Sequence, residues 1–301
     1  MYPVIGHGQS VERMSIDQVI AGAAEQRRLY INEFRNLLSQ ETKTFEIYDK
    51  KGFIKKRRSV ISTFIVYQLS KNDQAIAEYR SVLSVDGKNV EDADKRAENF
   101  FERISTAESS NKELERLENE GSRYDQNISV NGFTLFQAAP LAENIRSSME
   151  FRLLREDVIS GNTVYVISYT QTRQSPYIIT EKQPVVGDGK LTLIYETGVD
   201  DKAAAVRLNG EFWIDAATLQ VRREIRNLTV LPEGWSTPVT AGATVFEYEA
   251  SDFGILVPKR IEHTTFEIKK KERSALKDSK ITFTYDKFTR PDVDVKSSEV
   301  K

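Results

Sequence analysis

The sequence predicts an α+β protein dominated by one antiparallel sheet. Three observations carry that prediction. Apolar and polar residues alternate with a period of two from Met149 almost to Phe288, broken by turn signals at short intervals. A capped amphipathic segment stands before the first strands, and a second, strongly charged helical stretch separates the early strands from the late ones.

Residues 1–14 read as a loose arm. Ser15-Ile16-Asp17-Gln18 has the form of a capping box, and Ile16, Val19, Ile20, Ala23 and Ala24 follow at helical spacing. The spacing predicts a helix from about residue 15 into the upper 20s, with an apolar face that must cover something. From Lys43 the period changes to two. Phe45 and Ile47 lead to a turn at Asp49-Lys50-Lys51-Gly52, Phe53–Leu69 supplies one or two strands, and Tyr79–Val85 ends in the turn signal Asp86-Gly87.

Ala93, Ala97, Phe100, Phe101 and Ile104 share one helical stripe, and Asn111–Tyr124 continues as a second charged helix. The segment from Gly132 to Pro140 reads as a short apolar turn stopped by the proline, so the helical insertion covers about 91–140. Met149, Phe151 and Leu153 then share a face, and Ser160-Gly161-Asn162 turns the chain. Val164 and Val166 oppose Tyr165, Ile167 and Tyr169, the pattern of a strand buried on both faces. Residues 172–203 read as a long loop around one short strand at Leu191–Tyr195. Val206–Val230 is a hairpin turning at Asp215-Ala-Ala-Thr218, followed by strands at Ala243–Glu249, Pro258–Ile268 and Lys280–Phe288. The expected organisation is one β-rich domain over 15–289 and a polar, frayed tail over 290–301.

Composition excludes several functions. A hydrophobic fraction of 39% fills a core, so wholesale disorder is ruled out. A formal charge of -2 gives nucleic acid or an anionic membrane no reason to be the main partner. The absence of cysteine removes disulfides, thiol nucleophiles and thiolate metal sites together. No apolar run reaches the roughly 20 residues of a transmembrane helix. The N-terminus lacks the basic start and apolar stretch of a signal peptide, which leaves two expectations: a cytoplasmic protein, or an exported one whose leader was removed.

No catalytic constellation stands out, and no cofactor or metal is called for. Of the two histidines, His7 lies in the arm and His263 reads as a solvent-facing strand residue. A hydrolase built on two carboxylates would use a pair such as Asp215 with Glu224, or Glu247 with Glu249, but turn and solvated-face roles account for all four. Two basic runs, Lys55-Lys56-Arg57-Arg58 and Lys269-Lys270-Lys271-Glu272-Arg273, suit phosphates or anionic headgroups; protection of strand edges is the favoured reading. Adjacent Phe212 and Trp213 point to opposite faces, and Phe246, Tyr248, Phe266, Phe283 and Tyr285 come from the next three strands. An ordinary close-packed core explains them; an enclosed apolar cavity is the alternative.

The order of elements resembles the half-open β-barrel of bacterial outer-membrane lipoprotein-sorting proteins, the LolA/LolB-like family, in an extended form. The residues that carry the likeness are Val85-Asp86-Gly87-Lys88 with Arg96 and Phe100-Phe101, Leu208–Asp215 with Val221-Arg222-Arg223-Glu224, and Phe253–Arg260. The resemblance implies a strongly curved antiparallel sheet enclosing or covered by helices. It also implies a periplasmic, non-enzymatic carrier of a lipid, lipoprotein or other apolar ligand. Phe212, Trp213, Phe246, Tyr248, Phe266, Phe283 and Tyr285 are then the candidate ligand-binding residues. An envelope scaffold with a protein partner is the alternative.

Overall fold

The structure is a computed structural model and describes residues 14–35, 37–68, 76–91, 95, 119, 122–125, 132–180, 183–195, 205–269 and 271–290. The expected helices over 91–124 and the terminal arm and tail fall almost wholly outside these residues.

Helix α1 (Ile16–Glu33) begins at the anticipated box: the Ser15 hydroxyl accepts from Gln18 N, and the Gln18 side chain accepts from Ser15 N. It runs past the upper 20s because Tyr30 adds a further buried position, beyond which Phe34 at the C-cap is also buried. The strands follow as β1 (Leu38–Tyr48), β2 (Ile54–Gln68), β3 (Ile76–Val85) and β4 (Lys88–Asn89). Two 3-10 turns, Phe133–Phe136 and Ala139–Leu141, lead to a four-residue helix α2 (Glu143–Arg146). Pro140 lies inside the second turn and stops nothing: its fixed φ suits the first positions of a helical turn, where no N–H is needed.

Next come β5 (Met149–Ile159), β6 (Asn162–Gln171), β7 (Ile178–Thr180) and β8 (Leu193–Tyr195), then β9 (Ala205–Asp215), β10 (Val221–Leu231), β11 (Val239–Ala250), β12 (Leu256–Lys269) and β13 (Ser274–Tyr285). Strand β7 is absent from the sequence reading. It pairs in parallel with β8 as a separate two-stranded sheet, too short to show a period. The hairpin turns match expectation: Asp86-Gly87 and Ser160-Gly161 both take two positive φ values, the two-residue geometry whose twist suits flanking strands.

The other strands form one sheet of 11, ordered β4-β3-β2-β1-β13-β12-β11-β10-β9-β6-β5. Each neighbouring pair is antiparallel. The chain closes the middle of the sheet by bringing its last strand beside its first, Glu41 opposite Tyr285 and Ile47 opposite Ser279. The sheet does not close on itself; β4 and β5 are its two edges. Twisted sheets of more than about ten strands curl rather than lie flat.

Helix α1 marks the inside of the curve. Val19, Ile20 and Ala23 pack with Ile167, Tyr169, Phe212 and Ile214 of β6 and β9, whereas Tyr30 and Phe34 pack with Phe64, Tyr248 and Tyr285 of β2, β11 and β13. A helix of 18 residues is about 27 Å long, and β2 and β6 stand seven strand spacings apart, about 34 Å across a flat sheet. One helix shares a buried cluster with each because the sheet bends around it. The segment from Phe133 to Arg146 covers the rest of this inner face, with Ala139, Ala142 and Ile145 packed on Leu208, Leu228 and Val230.

Candidate functional site

Of the predicted ligand-binding residues, four meet in one cluster: Phe246 and Phe283 with no exposure, and Tyr248 and Tyr285 with 7% each. Phe212 lies in the adjoining cluster on the same inner face, its ring 4.6 Å from that of Tyr169. Trp213 lies on the outer face with Val164 and Val166, its ring under the Arg223 guanidinium, because a strand turns successive side chains to opposite sides. Phe266 is half-buried and belongs to none of these clusters; a register shift between Thr265 and Phe266 interrupts the alternation there.

The inner face also carries charge, which the sequence reading missed. On β1 and β3, Arg80 donates to both Glu41 carboxylate oxygens at 2.7 and 2.9 Å and to Glu78 at 2.9 Å. Lys43 pairs with Asp125 at 2.6 Å. On β10, Arg226 binds Glu224 through two bonds of 2.8 Å, and Tyr169 donates to the same carboxylate at 3.0 Å. All these charged side chains are almost wholly shielded from solvent. The arrangement has a physical logic. A buried irregular segment leaves backbone groups without partners, and each must find one.

The charged residues supply them. Glu78 accepts from Gly132 N and Thr134 N at 3.0 and 2.9 Å and from the Thr134 hydroxyl at 2.6 Å. Glu224 accepts from Ala138 N at 3.1 Å, Arg226 donates to Phe136 O at 2.7 Å, and Arg27 of α1 donates to Gln137 O at 3.0 Å. Tyr30 adds a bond to Thr134 O at 2.9 Å. The segment 132–138 is thus pinned to the sheet and to α1 at a few polar points, with apolar contact between them.

Burial opposes the charge on Glu78, but the Arg80 charge and the bonds from Thr134, Arg80 and Gly132 outweigh it and hold its carboxyl below the usual range. Burial likewise lowers Arg27, to about 10, with the nearby Arg226 charge adding to the effect. His263 faces inward, correcting the solvent-facing expectation: its Nδ1 lies 2.8 Å from the Thr244 hydroxyl, and the Phe133 ring stacks obliquely at 5.0 Å. Burial, then the Arg226 charge, brings it down to about 4.

The four carboxylates considered for acid/base work are differently placed. Asp215 caps its turn by accepting from Ala217 N and Thr218 N, both at 2.9 Å, and binds Arg222 at 2.6 Å. Glu224 is fully buried and committed to Arg226, Tyr169 and Ala138, which corrects its reading as a solvated-face residue. Glu247 and Glu249 lie on the outer face of β11, each partly exposed. Among the described residues no group of three or more His, Cys, Asp or Glu could hold a metal, and no helix is long and apolar enough to cross a membrane.

The space at the seam of α1, Gln137 and the sheet is about 10 Å³, bordered by Arg27, Tyr30 and Leu256, near the minimum for one water. A wider groove of about 360 Å³ opens at the rim, between Ser251, Asp252 and Val257 on one side and Tyr285 and Lys287 on the other. The aromatic face is covered by its own chain.

The fold and this face define a class: an open, curved antiparallel sheet whose concave side is covered by helix and irregular chain. No protein-family model matches the chain, and no characterised protein matches it by sequence. Among solved structures it is similar to a DUF1329 family protein from Desulfovibrio piger, with 11% identity, a TM-score of 0.32, and coverage of 93% of this chain and 94% of that one. It is also similar to a putative outer membrane lipoprotein-sorting protein domain from Vibrio parahaemolyticus, with 8% identity, a TM-score of 0.32, and coverage of 91% and 94%. A LolA superfamily protein from Nitrosomonas europaea overlaps at 11% identity and a TM-score of 0.34, covering 93% and 95%. The assignment of the fold rests on the strand order and the covered face themselves.

Proposed function

We propose that the chain is a non-enzymatic, periplasmic binding or carrier protein for an apolar ligand, with acyl chains of a lipid or lipoprotein as the ligand class. The segment Phe133–Arg146 is the plug that the ligand displaces. One observation carries this reading: the aromatic inner face is sealed by a helix and an irregular segment rather than by a second sheet. The plug is held by separable anchors at Glu78, Glu224, Arg226 and Arg27. Lifting it uncovers Phe246 and Phe283, which Phe133 overlies at 6.1 and 5.8 Å between ring centroids. Ligand sites combine apolar walls with placed polar groups, and this face carries aromatic clusters beside buried ion pairs. The ligand class follows the lipoprotein-sorting resemblance of the sequence.

Native mass spectrometry of gently purified protein tests the proposal, together with melting curves in added phospholipid and fatty acid. Bound lipid, or a melting temperature that rises with lipid concentration, is the expected result. A lipid-free protein whose melting temperature no lipid raises would overturn it.

A second reading has its own observation. Strand β5 is an unpaired edge of 11 residues that exposes Leu153, Leu154 and Val158 at 44, 48 and 64%. Such an edge accepts an added strand from a partner, which is the scaffold alternative. A stoichiometric protein partner recovered without lipid, and lost on replacing Leu154 and Val158 by lysine, would favour it.

A further inference from the structure

The two basic runs singled out in the sequence lie far apart in the chain, yet the fold brings them together. Strands β1 and β2 form one hairpin, β12 and β13 another, and the β1–β13 pairing sets the two side by side. The register runs Ile47 opposite Ser279 and Ile47 opposite Lys56, so the turn after Tyr48 and the turn between Lys269 and Ser274 project from the same end of the sheet. Across the four strands this end is about 15 Å wide.

Near its apex are exposed apolar side chains. Phe53 is 68% exposed, Ile54 51% and Leu276 38%. The same end of the sheet carries Lys51, Lys55, Lys56, Lys271 and Arg273, all exposed and none ion-paired with another described residue. Two acids share these turns, Asp49, which accepts from Lys51 N and Phe53 N at 2.8 and 3.0 Å, and the exposed Glu272, and the basic residues outnumber them. Lys277 lies over the Tyr48 ring at 3.9 Å, which keeps a further cation at the same end. The chain as a whole carries -2, so this end concentrates positive charge against the balance of the molecule.

We infer that this end is a docking tip for an anionic phospholipid surface, with Phe53 and Ile54 entering the interfacial layer and the lysines and Arg273 meeting headgroup phosphates. Edge protection explains lysines on strands, but not a bare phenylalanine and isoleucine at a turn. A polyphosphate backbone such as nucleic acid satisfies the cations and leaves Ile54 and Leu276 without a role. A membrane interface satisfies both sets at once, since amphipathic surfaces bind by buried apolar area plus attraction to anionic lipid. This inference stands whether or not the inner face holds a ligand.

Co-sedimentation with vesicles tests it, using phosphatidylcholine alone and phosphatidylcholine mixed with phosphatidylglycerol, at low and high salt. The protein should pellet with the mixed vesicles, much less with the neutral ones, and detach as salt rises. Each basic residue near such a surface strengthens binding about fivefold, so Lys55→Gln, Lys56→Gln and Lys271→Gln together should weaken it about a hundredfold. Phe53→Ser should weaken it about tenfold, as loss of a partly inserted ring. Lys259→Gln, at the opposite end of β12 beside Glu249, should bind as the parent does, and Lys55→Arg should retain binding. Equal pelleting with neutral and mixed vesicles, or a triple variant within about twofold of the parent, would overturn the inference. So would tight binding of a labelled DNA duplex together with vesicle binding that Phe53→Ser leaves unchanged. All these positions are exposed and circular dichroism should show each variant folded; a variant that unfolds would be replaced by the single Lys55→Glu change, read against the same controls.

Discussion

Glu78→Gln isolates the plug's anchor. In the parent, one Glu78 oxygen accepts from Thr134 N and the Thr134 hydroxyl, and the other accepts from Gly132 N and Arg80. A glutamine offers one acceptor and one NH₂ group. With the NH₂ toward Gly132 N and Arg80 it meets two donors; turned the other way it meets Thr134 N, while the Thr134 hydroxyl can rotate to accept from it, so at least one bond is lost together with the charge that Arg80 faced. Hydrogen bonds to a charged group contribute about 1.5–3 kcal/mol each, and breaking one side of a buried pair costs about 3–5 kcal/mol. Arg80 keeps Glu41, which prevents collapse of the whole network.

The expected loss is therefore about 3–5 kcal/mol, a fall of about 1–1.5 M in the urea midpoint for a chain of this size. Trp213 and Trp235 fluorescence reports the transition. The loss should also depend on pH. Because the folded carboxyl titrates below its unfolded range, its contribution is present above about pH 4.5 and disappears as pH falls through the folded value. Parent and variant should thus converge in acid. A loss below about 1 kcal/mol at neutral pH, or a difference unchanged in acid, would refute the anchoring role.

Other outcomes follow from single contacts. His263 titrates at about 4 when folded, so the parent should lose up to about 3 kcal/mol between roughly pH 6.5 and 4, as the unfolded chain takes up a proton that the folded one refuses. His263→Asn should remove that part of the pH dependence in urea titrations. Gly210→Ala should destabilise by about 3 kcal/mol or more, since a Cβ there would overlap Ile225 O and the Tyr169 hydroxyl; thermal melts check this. Phe283→Ala, at a fully buried ring of the inner face, should cost about 3–5 kcal/mol in the same assay.

Much of the fold was legible because its signals are local. The capping box, the positive-φ turns at Asp86-Gly87 and Ser160-Gly161, and the two-sided burial of Val164–Tyr169 all rest on neighbours in sequence. Strand β7 was not, because three residues show no period. The inward charges were partly legible: Glu224 and Arg226 share the parity of Leu228 and Val230, so they stand in phase with the core. Composition alone assigns such residues to the surface, and only the plug that needs their hydrogen bonds explains their burial. The same parity separates Trp213 from Phe212. His263 was misread because its cover, Phe133, comes from 130 residues earlier in the chain, beyond the reach of any local pattern.

The central claim is that the plug yields the inner face to an apolar ligand, and amide hydrogen exchange with and without phosphatidylglycerol tests it most directly. The account predicts that lipid speeds exchange in 132–142 at least about tenfold, as local opening at these anchors requires, while β11 and β13 around Phe246 and Phe283 stay protected. Lipid that binds with exchange in 132–142 unchanged or slowed would contradict it.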